Sequence, residues 1–245
     1  MTPRTPLFGK IKVLFFDLDG TLHDNSKGMA IALRKVYHQF RDRLVPVTEA
    51  EFLEVHRKLV AKLIKEYREG TLQVAVPWDP HYRVRQMLQL LKIRNHSLVV
   101  ELADTFVRLR KDCVQIFPGV KRGLYRLKKQ YQLAILSNGP SDLQRNKLRW
   151  LGLYEIFDWI LISEEIGYNK PDLRIFRYAL RATRMKPEEG VMIGDTVEAD
   201  LAAKKIGMKT ILFDPAKKYV THEFGEFAPD AIVSNFSDIQ KILIK

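Results

Sequence analysis

Cysteine is almost absent from this chain: Cys113 is the only one among 245 residues. No disulfide can therefore form within the chain, and a single free cysteine is typical of a reducing compartment. No apolar run approaches the roughly 18 residues that a membrane-spanning helix needs. The first ten residues also lack the apolar core of a signal peptide. These absences predict a cytoplasmic protein with no membrane partner.

Acidic residues are in the minority, with 29 Asp and Glu against 41 Lys and Arg and a net charge of +12. This excess favours anionic partners, from small phosphates to nucleic acid. The basic residues are spread along the chain, without a Lys/Arg block or an interleaved aromatic stripe, which disfavours nucleic acid. A non-catalytic binder of acidic partners stays open as an alternative, and the sequence does not indicate an oligomeric state.

Internal repeats and low-complexity segments are also missing, and two different patterns divide the chain. Residues 24–115 carry apolar positions at helical spacing with almost no strand signal. They predict four helices, the second ending at Gly70 and followed by a loop over residues 71–78. From residue 117 onward, short strands and helices alternate with short connections, which is typical of a parallel sheet with right-handed crossovers.

The first predicted strand, near residue 11, belongs with these later strands. We therefore predict an α/β fold with a doubly wound, Rossmann-like parallel sheet core, formed by residues 1–23 and 116–245. An inserted all-helical cap domain, residues 24–115, interrupts it. Both ends of the insert should lie near the carboxyl ends of the strands, so the cap is expected to cover the site as a lid.

The stretch Ile11–Leu22 is the strongest single motif. Five of its first six residues are apolar, as in a strand buried on both faces. Asp17 and Asp19 follow at the carboxyl end, where open α/β sheets bind ligands, and their spacing predicts carboxylates on the same side. Two such charges need a cation between them or a proton on one of them. Mg²⁺ suits carboxylate and phosphate oxygens, and a protonated carboxyl can serve as a general acid.

Three further strand ends carry polar residues, although each by itself is ordinary turn or surface chemistry. The hydroxyl of Ser137 and the turn at Asn138 can hold phosphate oxygens. Lys170 stands where a helix begins and can neutralise an anion. Asp195 follows an apolar strand, and Asp200 lies in the next helix. A doubly wound sheet collects such ends in one crevice, which then fits a phosphate bound to Mg²⁺.

In this order and spacing, the motifs resemble the four motifs of the haloacid dehalogenase superfamily, and the helical insert resembles that superfamily's helical cap of the first type. The motifs that carry the resemblance are Asp17-Leu-Asp-Gly-Thr-Leu, Ser137-Asn-Gly, Lys170-Pro-Asp and Gly194-Asp-Thr-Val-Glu-Ala-Asp200.

The resemblance implies a role for each site residue. Asp17 would attack phosphorus and form an aspartyl-phosphate, and Asp19 would act as acid and then as base, with its proton affinity raised by neighbouring carboxylates. Lys170 would stabilise the phosphoryl charge and orient Asp17. The remaining implied roles are phosphate binding by Ser137, Asn138, Gly20 and Thr21, Mg²⁺ binding by Asp17, the Asp19 backbone carbonyl and Asp195, and orientation of the metal ligands by Asp200.

The presence of Asp19, Asp195 and Asp200 favours metal-dependent phosphoryl transfer over 2-haloacid dehalogenation, which in this superfamily needs neither the second aspartate nor a metal. We therefore predict a Mg²⁺-dependent phosphatase that hydrolyses a small phosphorylated metabolite, such as a sugar phosphate. A 5′-nucleotidase acting on nucleoside monophosphates and a phosphosugar mutase stay open, because the cap decides the substrate.

Overall fold

The computed structural model describes residues 8–68, 78–219, 221 and 223–244. Contacts divide the chain into two compact units. The sheet unit runs as far as Asp24 and resumes at Ile116, and the helical unit is Asn25–Gln115. The predicted end of the second helix at Gly70 lies outside the described residues, and so do residues 71–77 of the predicted loop over residues 71–78.

A six-stranded sheet forms the centre of the sheet unit, in the order β3-β2-β1-β4-β5-β6. Every neighbouring pair is parallel, which confirms the predicted α/β fold with a doubly wound sheet. The strands are β1 (Val13–Phe16), β2 (Gln132–Ser137), β3 (Trp159–Ile162), β4 (Gly190–Gly194), β5 (Lys209–Phe213) and β6 (Ala231–Val233).

Strand β1 is apolar at every position because both of its faces are covered. Leu14 and Phe16 belong to one buried cluster, with helices α5 (Val120–Leu127) and α10 (Phe236–Leu243). Val13 and Phe15 point the other way, into a second cluster that includes residues of α8 (Leu173–Thr183). The strand is thereby held firmly on both sides, and so is the residue that follows it.

Two helical segments of the sheet unit show how their ends are formed. The segment after β4 is a short α-helix continued by a 3₁₀-helix at Leu201–Ile206. Helix α8 begins after Asp172, whose carboxylate accepts from Arg174 N at 2.8 Å, so Pro171 lies before the helix. The helices not yet introduced are α6 (Ser141–Trp150), α7 (Ser163–Ile166) and α9 (Val197–Asp200).

The helical unit has its own apolar core, which includes Phe52, Met87, Leu102 and Phe106. Its second helix begins with a capping box in which Thr48 N donates to Glu51 at 2.8 Å. None of the described helices is both long and apolar enough to cross a bilayer. The helices of this unit are α1 (Asn25–Leu44), α2 (Glu49–Arg68), α3 (Pro80–Leu90) and α4 (His96–Cys113).

The strand order creates a crevice at the carboxyl ends of β1 and β4. From β1 the chain proceeds outward to β2 and β3, and it then crosses to β4 on the other side of β1. Open α/β sheets bind ligands at such a switch point. The backbone N–H of Asp17 donates to Ile193 O at 2.9 Å, which extends the β1–β4 pairing by one residue and places the Asp17 side chain at this crevice.

Candidate active site

A buried lysine joins two aspartates at the switch point. Lys170 Nζ donates to Asp17 Oδ1 at 2.8 Å and to Asp200 Oδ1 at 2.5 Å, and all three side chains are buried. Burial by itself would lower the pKa of Lys170, but the two carboxylates outweigh it and raise that pKa above its ordinary value. Lys170 therefore stays charged, and its ammonium fixes the orientation of Asp17.

Asp195 completes an acidic cluster of Asp17, Asp195 and Asp200, whose carboxylate oxygens lie within 4.8 Å of one another. Burial is the main cause that raises the pKa of Asp195 to about 8, and the charges of Asp17 and Asp200 add to it. Burial also raises the pKa of Asp17 to about 6, although Lys170 opposes the rise. One ammonium thus leaves the negative charge of the cluster only partly compensated.

The acidic cluster fits a hard divalent cation. Its donors are largely buried carboxylate oxygens, and burial together with the repulsion between the acids raises the pKa values of Asp17 and Asp195, which a bound cation would lower again. Asp200 is less available, because its Oδ1 accepts from Lys170 and its Oδ2 accepts from Thr196 N at 3.0 Å. Asp17 and Asp195 are therefore the side chains best suited to hold a metal.

Two glycines allow these acids to come so close to the backbone. Gly20 has φ +87°, and a Cβ there would lie 2.3 Å from Asp195 Oδ2. At Gly194 a Cβ would lie 2.2 Å from Asp200 Cγ. Any larger side chain at either position would displace an aspartate of the acidic cluster, so the glycines in the first and fourth motifs are required by space.

Asp19 is not a member of the acidic cluster, and its carboxylate is held by other side chains. Its two oxygens contact Lys147 Nζ at 2.7 and 2.6 Å, and its Oδ1 also contacts His23 Nε2 at 2.7 Å. Burial favours a raised pKa for Asp19, but Lys147 and His23 outweigh burial and hold that pKa well below its ordinary value. The predicted rise in its proton affinity is therefore wrong for this structure.

The backbone leaves the extended conformation at Asp19. Leu22 N donates to Leu18 O at 3.1 Å and Gly20 N donates to His23 O at 2.9 Å, so the chain turns directly after Asp17. The rule that residues two apart share a side applies to extended backbone only. After this turn the Asp19 carboxylate contacts Gln144 and Lys147 of α6.

The Ser-Asn-Gly turn after β2 performs two separate tasks. Ser137 is the last residue of β2, and its buried hydroxyl accepts from Gln144 Nε2 at 2.9 Å. The side chain of Asn138 donates to Lys170 O at 2.9 Å and accepts from Lys170 N at 2.8 Å. Asn138, which was predicted to bind phosphate, thus uses its side-chain amide to hold the backbone of Lys170.

Thr21 is completely buried, and its hydroxyl has no hydrogen-bond partner among the described residues. The described residues therefore show no contact of Thr21 that tests its predicted role in phosphate binding. Gly20, next to it, is partly exposed and lies against Asp195.

Three residues that contact Asp19 were not predicted: His23, Gln144 and Lys147. Gln144 and Lys147 lie three residues apart on the buried face of α6, next to Leu148. A lysine on a helix face that otherwise carries Leu148 and Leu151 could have indicated, from the sequence alone, a buried charge with a nearby partner. His23 stands four residues after Asp19, and its complete burial could not be seen from the sequence.

Replacing Asp195 by Asn should make the metal-free protein more stable, by on the order of 5 °C in Tm at pH 8. The folded state holds protons on Asp195 that unfolded carboxyls, with a pKa near 3.8, release. The stability of the wild type therefore falls relative to Asp195→Asn as pH rises from about 4 to about 8. Thermal unfolding of both proteins in EDTA across this range measures the difference.

Mg²⁺ supplies the control for this experiment. It should raise the Tm of the wild type and leave that of Asp195→Asn nearly unchanged, because the variant lacks one of the two best ligands. His56 is buried and its pKa is lowered to about 3, mainly by burial, but it is present in both proteins and cancels in the comparison. Equal Mg²⁺ shifts in the two proteins would contradict a metal site at Asp195.

Comparison of the sequence with known proteins identifies the family to which this site belongs. The model of the haloacid dehalogenase-like hydrolases matches residues 11–207. A glyceraldehyde 3-phosphate phosphatase from Pyrococcus furiosus is 33% identical over 239 residues, which cover 96% of this chain and 93% of that protein. A phosphoserine phosphatase from Thermus thermophilus is 30% identical, with 94% of this chain and 98% of that protein covered.

A solved structure agrees with these relatives. The HAD-hydrolase YfnB from Bacillus subtilis, bound to magnesium, matches with a TM-score of 0.78 over 96% of this chain and 100% of that chain. At 24% identity this likeness shows the fold alone. Both curated relatives are phosphatases, which confirms the prediction of a phosphoric monoester hydrolase. The chain belongs to the haloacid dehalogenase-like hydrolases.

Proposed function

We propose that this protein is a Mg²⁺-dependent phosphatase that hydrolyses small phosphomonoesters through a phosphoryl group carried on Asp17. The observation that carries this proposal is the placement of Asp17. It stands at the end of the central strand, beside the other two acids of the cluster, with Lys170 Nζ 2.8 Å from one of its oxygens. That environment orients a carboxylate for attack and supplies positive charge for a phosphate.

In the first half of the reaction, an oxygen of Asp17 forms a bond to phosphorus as the bond to the leaving oxygen breaks. The leaving oxygen takes a proton from Asp19, which has taken it up from solvent and regains it from the attacking water in the second half of the reaction. Lys170 stays charged throughout and stabilises the negative charge of the transferring group. The Ser137 hydroxyl, at the end of β2, is the group that would hydrogen-bond a phosphoryl oxygen.

In the second half, a water attacks phosphorus and gives its proton to Asp19. The bond between phosphorus and Asp17 breaks, its electron pair returns to Asp17, and inorganic phosphate leaves. Lys147 and His23 hold the pKa of Asp19 well below its ordinary value, so its surroundings favour the carboxylate. The resting protein therefore holds Asp19 in the ionised form, which is the form that can accept the proton of the water.

Mg²⁺ held by Asp17, Asp195 and the backbone carbonyl of Asp19 would offset the repulsion between the Asp17 carboxylate and the phosphate. Asp200 would act through Lys170, which it contacts at 2.5 Å. We further propose that the helical unit Asn25–Gln115 is a cap domain that selects the substrate.

The names of the relatives point to small phosphorylated metabolites as substrates. Glyceraldehyde 3-phosphate phosphatase and phosphoserine phosphatase both name short phosphomonoesters. A ribulose-1,5-bisphosphate 5-phosphatase from Halopiger xanaduensis, 31% identical, names a sugar phosphate. We therefore place sugar phosphates and similar metabolites ahead of nucleoside monophosphates as substrates of this chain.

Metal removal is the direct test of this function. The purified protein should hydrolyse an aryl phosphate with Mg²⁺, lose at least about 10³-fold of that rate in EDTA, and regain it when Mg²⁺ is restored. The same assay on glyceraldehyde 3-phosphate, phosphoserine, ribulose 1,5-bisphosphate and a nucleoside monophosphate ranks the substrates by kcat/KM. Activity that is unchanged in EDTA would contradict the proposed mechanism.

A further inference from the structure

The Asp19 carboxylate is held by three buried side chains. We call Lys147, Gln144 and His23 the Asp19 cradle. Lys147 is 2% exposed and contacts both carboxylate oxygens, and His23 Nε2 contacts one of them at 2.7 Å. Gln144, 1% exposed, donates to Asp19 Oδ2 at 3.1 Å. Contacts on both oxygens restrict the carboxylate to one orientation.

Gln144 also connects Asp19 with the Ser-Asn-Gly turn. The same Nε2 lies 2.9 Å from Ser137 Oγ and 2.7 Å from Asn138 O. One amide thus sets the position of Asp19 relative to the hydroxyl that would hold the phosphoryl group. The other side of the amide, Oε1, is buried and accepts from no described residue.

Burying a lysine in this way is unfavourable unless its charge is closely paired. A leucine at position 147 would continue the apolar face of α6 that Leu148 belongs to. The lysine instead brings a fixed positive charge to both oxygens of Asp19. Precise placement of a catalytic group by packed neighbours is what a proton transfer in an active site requires.

We propose that Lys147 and Gln144 are positioning residues, which hold the Asp19 carboxylate where it accepts the proton of the water that attacks the phosphoryl group on Asp17. This inference rests on the proposed function. It assigns to one face of α6 a part in the second half of the reaction: the water loses its proton to Asp19 as the bond between phosphorus and Asp17 breaks.

Decay of the phosphorylated enzyme tests this inference. Wild type, Lys147→Met and Asp19→Asn are mixed with an activated aryl phosphate and Mg²⁺, and acid-quenched samples are analysed for phosphate on Asp17 by mass spectrometry. An activated leaving group needs no acid, so phosphorylation should proceed in all three. Decay after substrate removal should be slower by about 10²-fold in Lys147→Met, and phosphoenzyme should accumulate as in Asp19→Asn.

The double variant Lys147→Met/Asp19→Asn should decay no more than about twofold more slowly than Asp19→Asn, because Lys147 acts through Asp19. Arg149→Met, which removes an exposed cation from the same helix, is the matched control and should behave as wild type. If Lys147→Met does not fold, Lys147→Gln keeps a hydrogen-bond donor at the position and should show the same accumulation to a smaller degree.

Two results would overturn the inference: equal slowing of phosphorylation and decay in the folded Lys147 variants, or an effect of Lys147→Met that is undiminished when Asp19 is Asn. Either would make Lys147 a structural residue only. These outcomes differ from failure of the proposed function, which would appear in the wild type as missing Mg²⁺-dependent hydrolysis or missing phosphate on Asp17.

Discussion

Asp17→Asn should lower the Mg²⁺-dependent hydrolysis rate by at least about 10⁴-fold, the largest loss expected for any single substitution in this chain. The amide keeps the size of the side chain and an oxygen that can accept from Lys170, so the contact seen at 2.8 Å can persist. It lacks the negative oxygen that forms the bond to phosphorus. Binding is therefore expected to change much less than turnover.

Two measurements accompany this substitution. Asp142→Asn, which changes an exposed aspartate in the first turn of α6, is the matched control and should keep the wild-type rate. Acid-quenched wild type should carry phosphate on the peptide that contains Asp17, and Asp17→Asn should carry none. A variant that keeps its rate, or phosphate found on a different residue, would show that Asp17 is not the nucleophile.

Lys170→Met should reduce both stability and activity. It leaves the acidic cluster without its ammonium, and breaking a buried ion pair by removing one partner costs about 3 kcal/mol, or roughly 6–12 °C in Tm. Turnover should fall by about 10²- to 10³-fold, because the charge that stabilises the transferring phosphoryl group is lost. Thermal unfolding in EDTA and kcat with Mg²⁺ measure the two effects separately.

A second substitution separates these two effects. Lys170→Met/Asp200→Asn removes one negative charge with the positive one, so most of the lost stability should return while activity stays low. Lys129→Met, at an exposed lysine just after α5, is the control and should change neither quantity. If the double variant recovered activity together with stability, Lys170 would serve the fold alone and have no catalytic task.

The sheet and its order of elements were predictable from local patterns. A strand buried on both faces must be apolar at every position, as Val13–Phe16 is, and parallel strands need helices between them. The polar residues that follow such strands are brought to one edge by the topology itself. For that reason Asp17, Ser137 and Asp195 could be placed at the crevice before any side-chain contact was known.

The surroundings of Asp19 could not be predicted in the same way. Its partner Lys147 is 128 residues away along the chain, and a sequence pattern does not show which helix face packs beside a turn. The expected rise in proton affinity assumed that the nearest charges were carboxylates. The nearest charge is instead a buried ammonium, which changes the direction of the pKa shift.

The amino-acid sequence alone therefore decided the fold class, the strands and the residues at their carboxyl ends, because periodicity and turn chemistry act over a few neighbouring residues. The tertiary structure decided which of those residues share a charge environment. Lys170 pairs with Asp17 and Asp200, whereas Lys147 pairs with Asp19. Two aspartates separated by one residue thus have pKa values shifted in opposite directions, because burial and distant charges act through space and not along the chain.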